Sequence, residues 1–141
     1  MASTPFEYEL TVPASAIDAM GHVNNVVYVD WVQTAASKHW NAATAPYFKK
    51  EISGEEHIGI NKIAWVVLDH HITYKAAAIA GDVVVISTFV KTFSGAKSER
   101  HTEIKRKRDD QLLASAITNW CLLKMPEKKP MRVPQEIIDL Y

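Results

Sequence analysis

An acid, a glycine, a histidine and two asparagines fall within eight residues of the stretch DAMGHVNNVVY, which begins at Asp18. A carboxylate can act as a general base or a nucleophile, and a histidine can carry a proton. The same residue types are also favoured in turns, so spacing alone favours a turn aspartate at Asp18. Gly21 would then supply a positive φ, or allow a ligand to approach the backbone closely. His22 could orient Asp18, bind a substrate or hydrogen-bond within the loop.

The asparagines precede a long apolar run, where a helix is expected to begin. If Asn24 caps this helix, the first backbone N–H groups after it have no partner and lie at the positive end of the helix dipole. Such groups can polarise a carbonyl oxygen. Asp18 lies seven residues before Asn25, so a loop could place its carboxylate across the helix end. There it could attack that carbonyl or deprotonate a water; the alternative is that both asparagines only cap the helix.

Periodicity supplies the elements that must position these residues. Residues 6–12 alternate between apolar and polar, which predicts a half-buried strand ended by Pro13. A helix is predicted from about Asn24 to about Asn41, and residues 42–57 are expected to be loop or short helix. The predicted helix has an apolar face formed by Tyr28, Trp31, Val32, Ala35, Ala36, His39 and Trp40.

Strand patterns dominate the rest of the chain, at 58–74, 83–93, 98–108 and 112–124. The turns SGAK and RDDQ separate the last three, so an antiparallel meander is expected. One apolar helix beside about five antiparallel strands is an α+β arrangement in which the sheet wraps the helix. Residues 1–141 are expected to form a single domain.

Composition narrows the class of protein. The 16 basic residues balance the 16 acidic ones, so charge favours neither nucleic acid nor a membrane surface. No apolar stretch approaches the length of a membrane helix, and MASTPFEYEL lacks the pattern of a secretory signal, so a cytoplasmic protein is expected. Cys121, in the apolar run WCLL, is expected to be a buried structural thiol.

Other polar residues are weaker candidates. Neighbouring strand residues point to opposite faces, so His70 and His71 make a poor metal site, and neither a metal nor a cofactor is expected. The basic run 105–108 fits a solvated edge strand and its turn, although it could meet phosphates. Lys97 and Arg100 have the same two interpretations.

The stretch IDAMGHVNNVVYVDW resembles the signature of hotdog-fold acyl-CoA thioesterases of the 4-hydroxybenzoyl-CoA thioesterase type. Later segments resemble the same family: ITYKAAAIAGDVVVIST, SERHTEIKR, LLASAITNW and KKPMRVPQEI. The resemblance therefore covers nearly the whole chain. The residues of the signature that match are Asp18, Gly21, His22, Val23, Asn24, Asn25, Tyr28 and Trp31.

The resemblance implies a hotdog fold, a five-stranded antiparallel sheet wrapped around one long helix. It implies an acyl-CoA thioesterase that works without a metal or redox cofactor, as a homodimer or dimer of dimers with active sites at the subunit interface. Asp18 is then the catalytic acid, the N–H near Asn25 polarises the thioester carbonyl, and His22 shapes the loop. The residues expected to contact substrate are Gly21, Asn24, Tyr28, Lys97 and Arg100, the last two through the CoA phosphates.

Departures from related patterns limit the alternatives. Plant-type acyl-carrier-protein thioesterases resemble this stretch but carry an asparagine where this chain has Met20. A second branch of the family takes its acid from the helix, where only Asp30 is available, on the polar face. Hotdog hydratases resemble Asp-x-Asn-Pro-x-His, which is absent here. An acyl-carrier-protein thioesterase and a non-catalytic acyl-thioester-binding protein remain alternatives, and the acyl group is left open.

Overall fold

The computed structural model describes residues 3–52 and 62–141. A short 3₁₀ turn at Ala14–Ala16 follows the first strand and leads toward the long helix. The elements are β1 (Phe6–Thr11), α1 (Asn25–Ile52), β2 (Ile63–Tyr74), β3 (Val83–Ser94), β4 (Lys97–Arg106), β5 (Gln111–Lys124), β6 (Lys129–Pro130) and α2 (Gln135–Ile138).

The strands form one antiparallel sheet in the order β1-β3-β4-β5-β2, with the two-residue β6 added beside β5. The expected α+β class, the five main strands and the meander of β3, β4 and β5 are confirmed. The expectation that the basic run begins on an edge strand is wrong, because β1 and β2 occupy the two ends of the strand order and β4 lies between β3 and β5.

Helix α1 is longer than the sequence pattern predicts. It begins one residue after the expected start and continues past Asn41 to Ile52, so the loop or short helix expected from residue 42 is wrong as far as Ile52. Pro46 lies inside this extension, whose alanines, lysines and glutamate favour helix and outweigh the N–H that proline removes. The rest of that expected loop, with residues 58–61 of the expected strand, lies outside the described residues. Among the helices of the described chain, none is long and apolar enough to cross a membrane.

The expected apolar face of α1 does pack into the protein. It is buried at Tyr28, Trp31, Val32, Ala35, Ala36 and His39. The opposite face, which carries Asp30, Gln33 and Ser37, is exposed as expected. Cys121 is a buried free thiol, also as expected.

A band of polar side chains crosses the sheet beneath the second half of α1. Cross-strand register places Val90, Arg100, Thr118 and His70 in one row over β3, β4, β5 and β2. Directly paired residues point to the same face of a sheet, so this row shares one face. Arg100 is only 4% exposed, and its Nη1 donates to Nδ1 of His39 (2.9 Å) and to Oγ1 of Thr88 (3.1 Å).

This contact determines the protonation state of His39. A guanidinium has no acceptor, so Nδ1 of His39 must accept and the imidazole is neutral, with its proton on Nε2. Burial, followed by repulsion from Arg100, lowers the pKa of His39 to about 4. The other groups around the ring are aromatic: Phe6 stacks on it at 5.5 Å, and the ring of Tyr141 lies edge-on at 4.7 Å.

We expect His39 to make the fold acid-sensitive. The unfolded chain takes up this proton near pH 6.5 but the folded chain only near pH 4, so the stabilisation is complete above pH 6.5 and is lost as the pH falls toward 4. The loss should be on the order of 3 kcal/mol by pH 4. Urea unfolding across this range should show a weaker pH dependence for His39→Gln, which keeps an acceptor but does not titrate.

The exposed His71 offers a matched control. His71→Gln should retain the pH dependence of the wild-type protein. Equal slopes for His39→Gln and wild type would contradict the assignment of His39 as a neutral buried acceptor.

Candidate active site

The segment between β1 and α1 forms a small hairpin that carries Asp18. The N–H of Asn24 donates to the carbonyl of Ala16 (2.9 Å), and the N–H of Asp18 donates to the carbonyl of His22 (2.9 Å). Gly21 closes the turn with φ +79°, a conformation that disfavours other residues. A Cβ on Gly21 would meet nothing within 4 Å, so the glycine is required by its φ rather than by a close contact within the chain.

The hairpin holds one oxygen of the Asp18 carboxylate and leaves the other available. Oδ1 accepts hydrogen bonds from the N–H of Met20 (2.9 Å) and, at longer range, from that of His22 (3.4 Å). No described residue donates to Oδ2. The carboxylate is therefore oriented by the backbone, while one of its oxygens can accept a proton or attack a ligand.

Asn24 caps α1, as the sequence pattern predicted. Its Oδ1 accepts from the N–H of Val26 (2.9 Å), and its carbonyl accepts from the N–H of Val27 (2.9 Å). Within the described chain no acceptor lies opposite the N–H of Asn25, the first residue of the helix. Because Asn25 is exposed, this N–H is open to a ligand at the positive end of the helix dipole.

Asp18 and Asn25 belong to the same short segment, on the hairpin and at the helix start that follows it. The Asp18–His22 pair is two residues along from the Ala16–Asn24 pair, which is about 7 Å in extended chain. The carboxylate and the free N–H are therefore carried by the same short hairpin, and we call the surface formed by Asp18 and Asn25 the rim. Such a pair can hold a carbonyl oxygen while a base or nucleophile acts on its carbon.

The buried side chain of Tyr28 connects the first turn of α1 to the loop that follows β2. It is 2% exposed, its hydroxyl accepts from the N–H of Ala78 (3.3 Å), and burial raises its pKa. The carbonyl of Ala78 in turn accepts from the N–H of Val23. This burial does not favour the expected substrate contact at Tyr28, because the side chain is enclosed by its own chain.

Two supporting residues were missed by the sequence analysis. The hydroxyl of Tyr74, at the end of β2, donates to the carbonyl of Asn25 (3.2 Å), and its ring contacts Tyr28 edge-on. Ala78 contributes only backbone groups. No sequence pattern marks either residue as a partner of the helix. Tyr74 lies at a strand end, 49 residues from Asn25, and Ala78 lies between two strands.

The surroundings of the rim are apolar and exposed. Met20 is 78% exposed and Val26 is 72% exposed, more than any other large hydrophobic side chain that the structure describes. His22 is exposed too, and only its backbone, not its imidazole, contacts Asp18. Exposed apolar side chains beside a free carboxylate and a free N–H indicate a surface that contacts a ligand or another protein.

Lys97 and Arg100 are not brought to this rim within one chain. They lie near the start of β4, whereas its last residue, Arg106, donates to the carbonyl of Ala77 close to the helix start. Ten residues of strand separate the two ends, about 30 Å. Lys97 is exposed, whereas the guanidinium of Arg100 is buried against His39 and Thr88, which does not favour the expected contact with a CoA phosphate.

The remaining candidates have structural partners. Each cation of the basic run 105–108 faces a carboxylate: Lys105 with Asp110, Arg106 with Asp109, Lys107 with Glu9 and Arg108 with Asp82. This does not favour phosphate binding there. His70 is half-buried and its Nδ1 lies 2.8 Å from Oγ1 of Thr118, whereas His71 is exposed. No cluster of three potential metal ligands occurs among the described residues.

Comparison with known proteins places the chain in a family. A sequence profile described as the Thioesterase-like superfamily matches residues 12–139. None of the curated proteins matches the chain significantly. Many solved structures do share its fold.

Three of these structures illustrate the likeness. The 1,4-dihydroxy-2-naphthoyl-CoA thioesterase Slr0204 from Synechocystis has a TM-score of 0.78 and 23% identity, over 97% of this chain and 95% of its own. The DHNA-CoA thioesterase from Staphylococcus aureus has 0.76 and 20%, over 96% and 85%. The Staphylococcus aureus protein SAV2348, in complex with CoA, has 0.80 and 14%, over 99% and 83%.

An antiparallel sheet around one long helix, with these neighbours, defines a hotdog fold. The chain belongs to the thioesterase-like superfamily and is a thioester hydrolase. The resemblance carried by the GHVNN stretch is confirmed at the level of family and fold.

Proposed function

We propose that this protein hydrolyses acyl-CoA thioesters to a free carboxylic acid and CoA at the rim formed by Asp18 and Asn25. The observation that carries the proposal is that one short segment holds both a free N–H, that of Asn25, and a carboxylate with one free oxygen, Oδ2 of Asp18. A substrate thioester needs both groups: a donor for its carbonyl oxygen and a base or nucleophile for its carbonyl carbon.

The reaction follows from these positions. The thioester carbonyl oxygen accepts a hydrogen bond from Asn25, which stabilises the negative charge that develops on it. Asp18 either deprotonates a water that adds to the carbonyl carbon, or adds to it directly and is released by water from the mixed anhydride. In both routes the C–S bond breaks, the sulfur leaves as thiolate and is protonated, and one water is consumed. His22 and Asn24 hold the loop and cap the helix, while Gly21 provides the turn.

Fold neighbours support CoA as the carrier. The Synechocystis protein acts on 1,4-dihydroxy-2-naphthoyl-CoA, and the Staphylococcus aureus protein SAV2348 is in complex with CoA. Because these proteins are less than 25% identical to this chain, they indicate its fold but not its acyl group, which the substrate panel below would identify.

The free edge of β2 is a natural place for a second copy to pair. The strand pairs only with β5 among the described strands, and Val66, Leu68 and Tyr74 on it are exposed apolar residues. We propose an isologous homodimer in which two β2 strands pair antiparallel. Because β2 and β4 begin at the same end of the sheet, this pairing would bring Lys97 of one copy toward the helix start of the other, where it could contact a CoA phosphate.

Asp18→Asn should lower thiol release at least about a hundredfold, since it removes the base or nucleophile. The asparagine can still accept from the N–H of Met20, so the loop should stay in place. Release would be followed with a thiol-reactive dye on short, medium and long fatty acyl-CoAs and on benzoyl-CoA and phenylacetyl-CoA.

Asp30 is the matched control for this variant, because it is an exposed aspartate on α1, away from the rim. Asp30→Asn should release thiol at the wild-type rate. Equal activity of Asp18→Asn and wild type would reduce Asp18 to a turn residue, and loss in Asp30→Asn alone would move the catalytic acid to the helix. Wild-type inactivity on every CoA ester, with activity on acyl-carrier protein, would exclude CoA as carrier.

Asn25→Pro tests the backbone donor itself. Proline removes the N–H at the first helical position, where it is well tolerated, and a cap residue before it normally has the extended backbone that proline requires. We expect kcat to fall about a hundredfold to a thousandfold, with the melting temperature nearly unchanged.

Asn25→Ala keeps the N–H while removing the same side chain, and it should retain activity. If Asn25→Pro were as active as Asn25→Ala, the oxyanion donor would have to be a different group.

The dimer predicts a mass about twice 15.8 kDa in analytical ultracentrifugation. Leu68→Lys places a charge on the edge strand and should shift the protein toward monomer. Ile117→Lys, an exposed site on β5 rather than on the edge strand, should leave the mass unchanged. A wild-type monomer, or a dimer that survives Leu68→Lys, would place the interface elsewhere.

A further inference from the structure

A cavity of about 190 Å³ lies between the second half of α1 and the sheet. Its lining combines aromatic rings with one cation and two serines. At Ser37 it reaches an exposed residue of the helix, so it is accessible from the surface. The aromatic residues and the cation are Trp40, Trp65, Phe93, Trp120, Tyr141 and Arg100.

The cation in this cavity has no anionic partner among the side chains that the structure describes. Nη1 of Arg100 contacts His39 and Thr88, and Tyr141 is the other polar neighbour of the guanidinium, with its ring 5.6 Å away. No carboxylate of the described residues lies within ion-pair distance of Arg100. A guanidinium has five N–H donors, so at least two remain after these three neighbours. Removing a charge from water without a counter-charge is costly, and a carboxylate ligand would compensate it.

Buried polar atoms without a partner are concentrated in the same place. Among the described residues only three buried side-chain polar atoms have no partner: Nε1 of Trp65, Nε1 of Trp120 and Nε2 of His70. Both tryptophans line the cavity, and His70 shares the cross-strand row of Arg100. Buried polar atoms are usually satisfied, so a cluster of exceptions beside one cavity indicates a missing polar occupant.

We propose that this cavity binds a small aromatic carboxylic acid in its anionic form. The carboxylate pairs with Arg100 and accepts from the unpaired donors, while the ring packs among the indoles. The volume fits, because a cavity of about 150 Å³ holds benzene. Five aromatic residues exclude an occupant that is polar throughout, such as inorganic phosphate.

This site lies apart from the rim of Asp18 within one chain. Eleven residues of helix separate Asn25 from Ala36 at the cavity wall, about 17 Å. The proposal therefore goes beyond thioester hydrolysis and does not depend on it. Asp18→Asn should bind the acid as the wild type does, so the two proposals can fail independently.

Benzoate is the probe, and benzamide is its neutral counterpart of the same shape. Three of the four tryptophans line the cavity, whereas Trp31 does not, so the indole N–H resonances report the location of binding. In titrations followed by NMR and calorimetry, benzoate should shift the indole N–H signals of Trp65 and Trp120 and leave that of Trp31 in place. Benzamide should bind about tenfold to a hundredfold more weakly, since it lacks the charge-assisted bonds.

Arg100→Met should lower the affinity for benzoate by a similar factor. A protein in which an apolar side chain replaces a buried charge usually still folds. Arg132→Met, at an exposed arginine, should bind as the wild type does. The comparison of benzoate with benzamide on wild-type protein stands even if Arg100→Met does not fold. Three outcomes would overturn the proposal: equal binding of the two probes, no binding of either probe, or chemical-shift changes confined to Gly21 and Asn25. Absence of binding would mean that the cavity holds only water.

Discussion

The proposed chemistry depends on a single unpaired backbone group, the N–H of Asn25, being held at a fixed place on the surface. A helix leaves its first N–H groups without internal partners, but a frayed helix end would not keep one of them aimed at a ligand. Here the side chain of Asn24 takes the N–H of Val26, and its carbonyl takes that of Val27. The cap therefore satisfies the neighbouring donors and leaves the N–H of Asn25 open, which the proposed reaction requires.

The rest of the fold keeps that helix end from moving. Tyr74 donates to the carbonyl of Asn25 from the end of β2, and Ala78 contacts Tyr28 and Val23 from the following loop. The hairpin that carries Asp18 is closed by two backbone hydrogen bonds, so base and donor are fixed to the same short segment. Catalysis by prepositioned groups requires this rigidity, because a misplacement of about 1 Å can cost a hundredfold in rate.

The sequence pattern correctly predicted features that depend on residues close together in the chain. The asparagine cap, the positive φ at Gly21 and the buried face of α1 all follow from neighbouring residues, and all are confirmed. The length of α1 was underestimated because the apolar periodicity on which the prediction rested fades after Asn41, whereas the helix continues to Ile52 through residues that favour helix. The place of β4 between two strands could not be read from its charges, since those cations are paired across turns and strands with residues such as Glu9 and Asp82.

The prediction and the structure differ most at Arg100. In the sequence this residue is a cation on a predicted strand, much like the nearby Lys97. Its neighbours Glu99 and His101 are polar, so the pattern carries no sign of burial, which depends on His39 from a helix 61 residues away. Once buried, the residue has no evident value for stability. A hydrophobic side chain of similar volume would commonly match or exceed the stability of a buried charge that lacks a counter-ion. The neutral His39 accepts a hydrogen bond but supplies no opposite charge, and the threonines are neutral as well. Among the side chains that the structure describes, this desolvated cation has no counter-ion, and it borders the cavity that is lined by the two tryptophans with unpaired indole N–H groups.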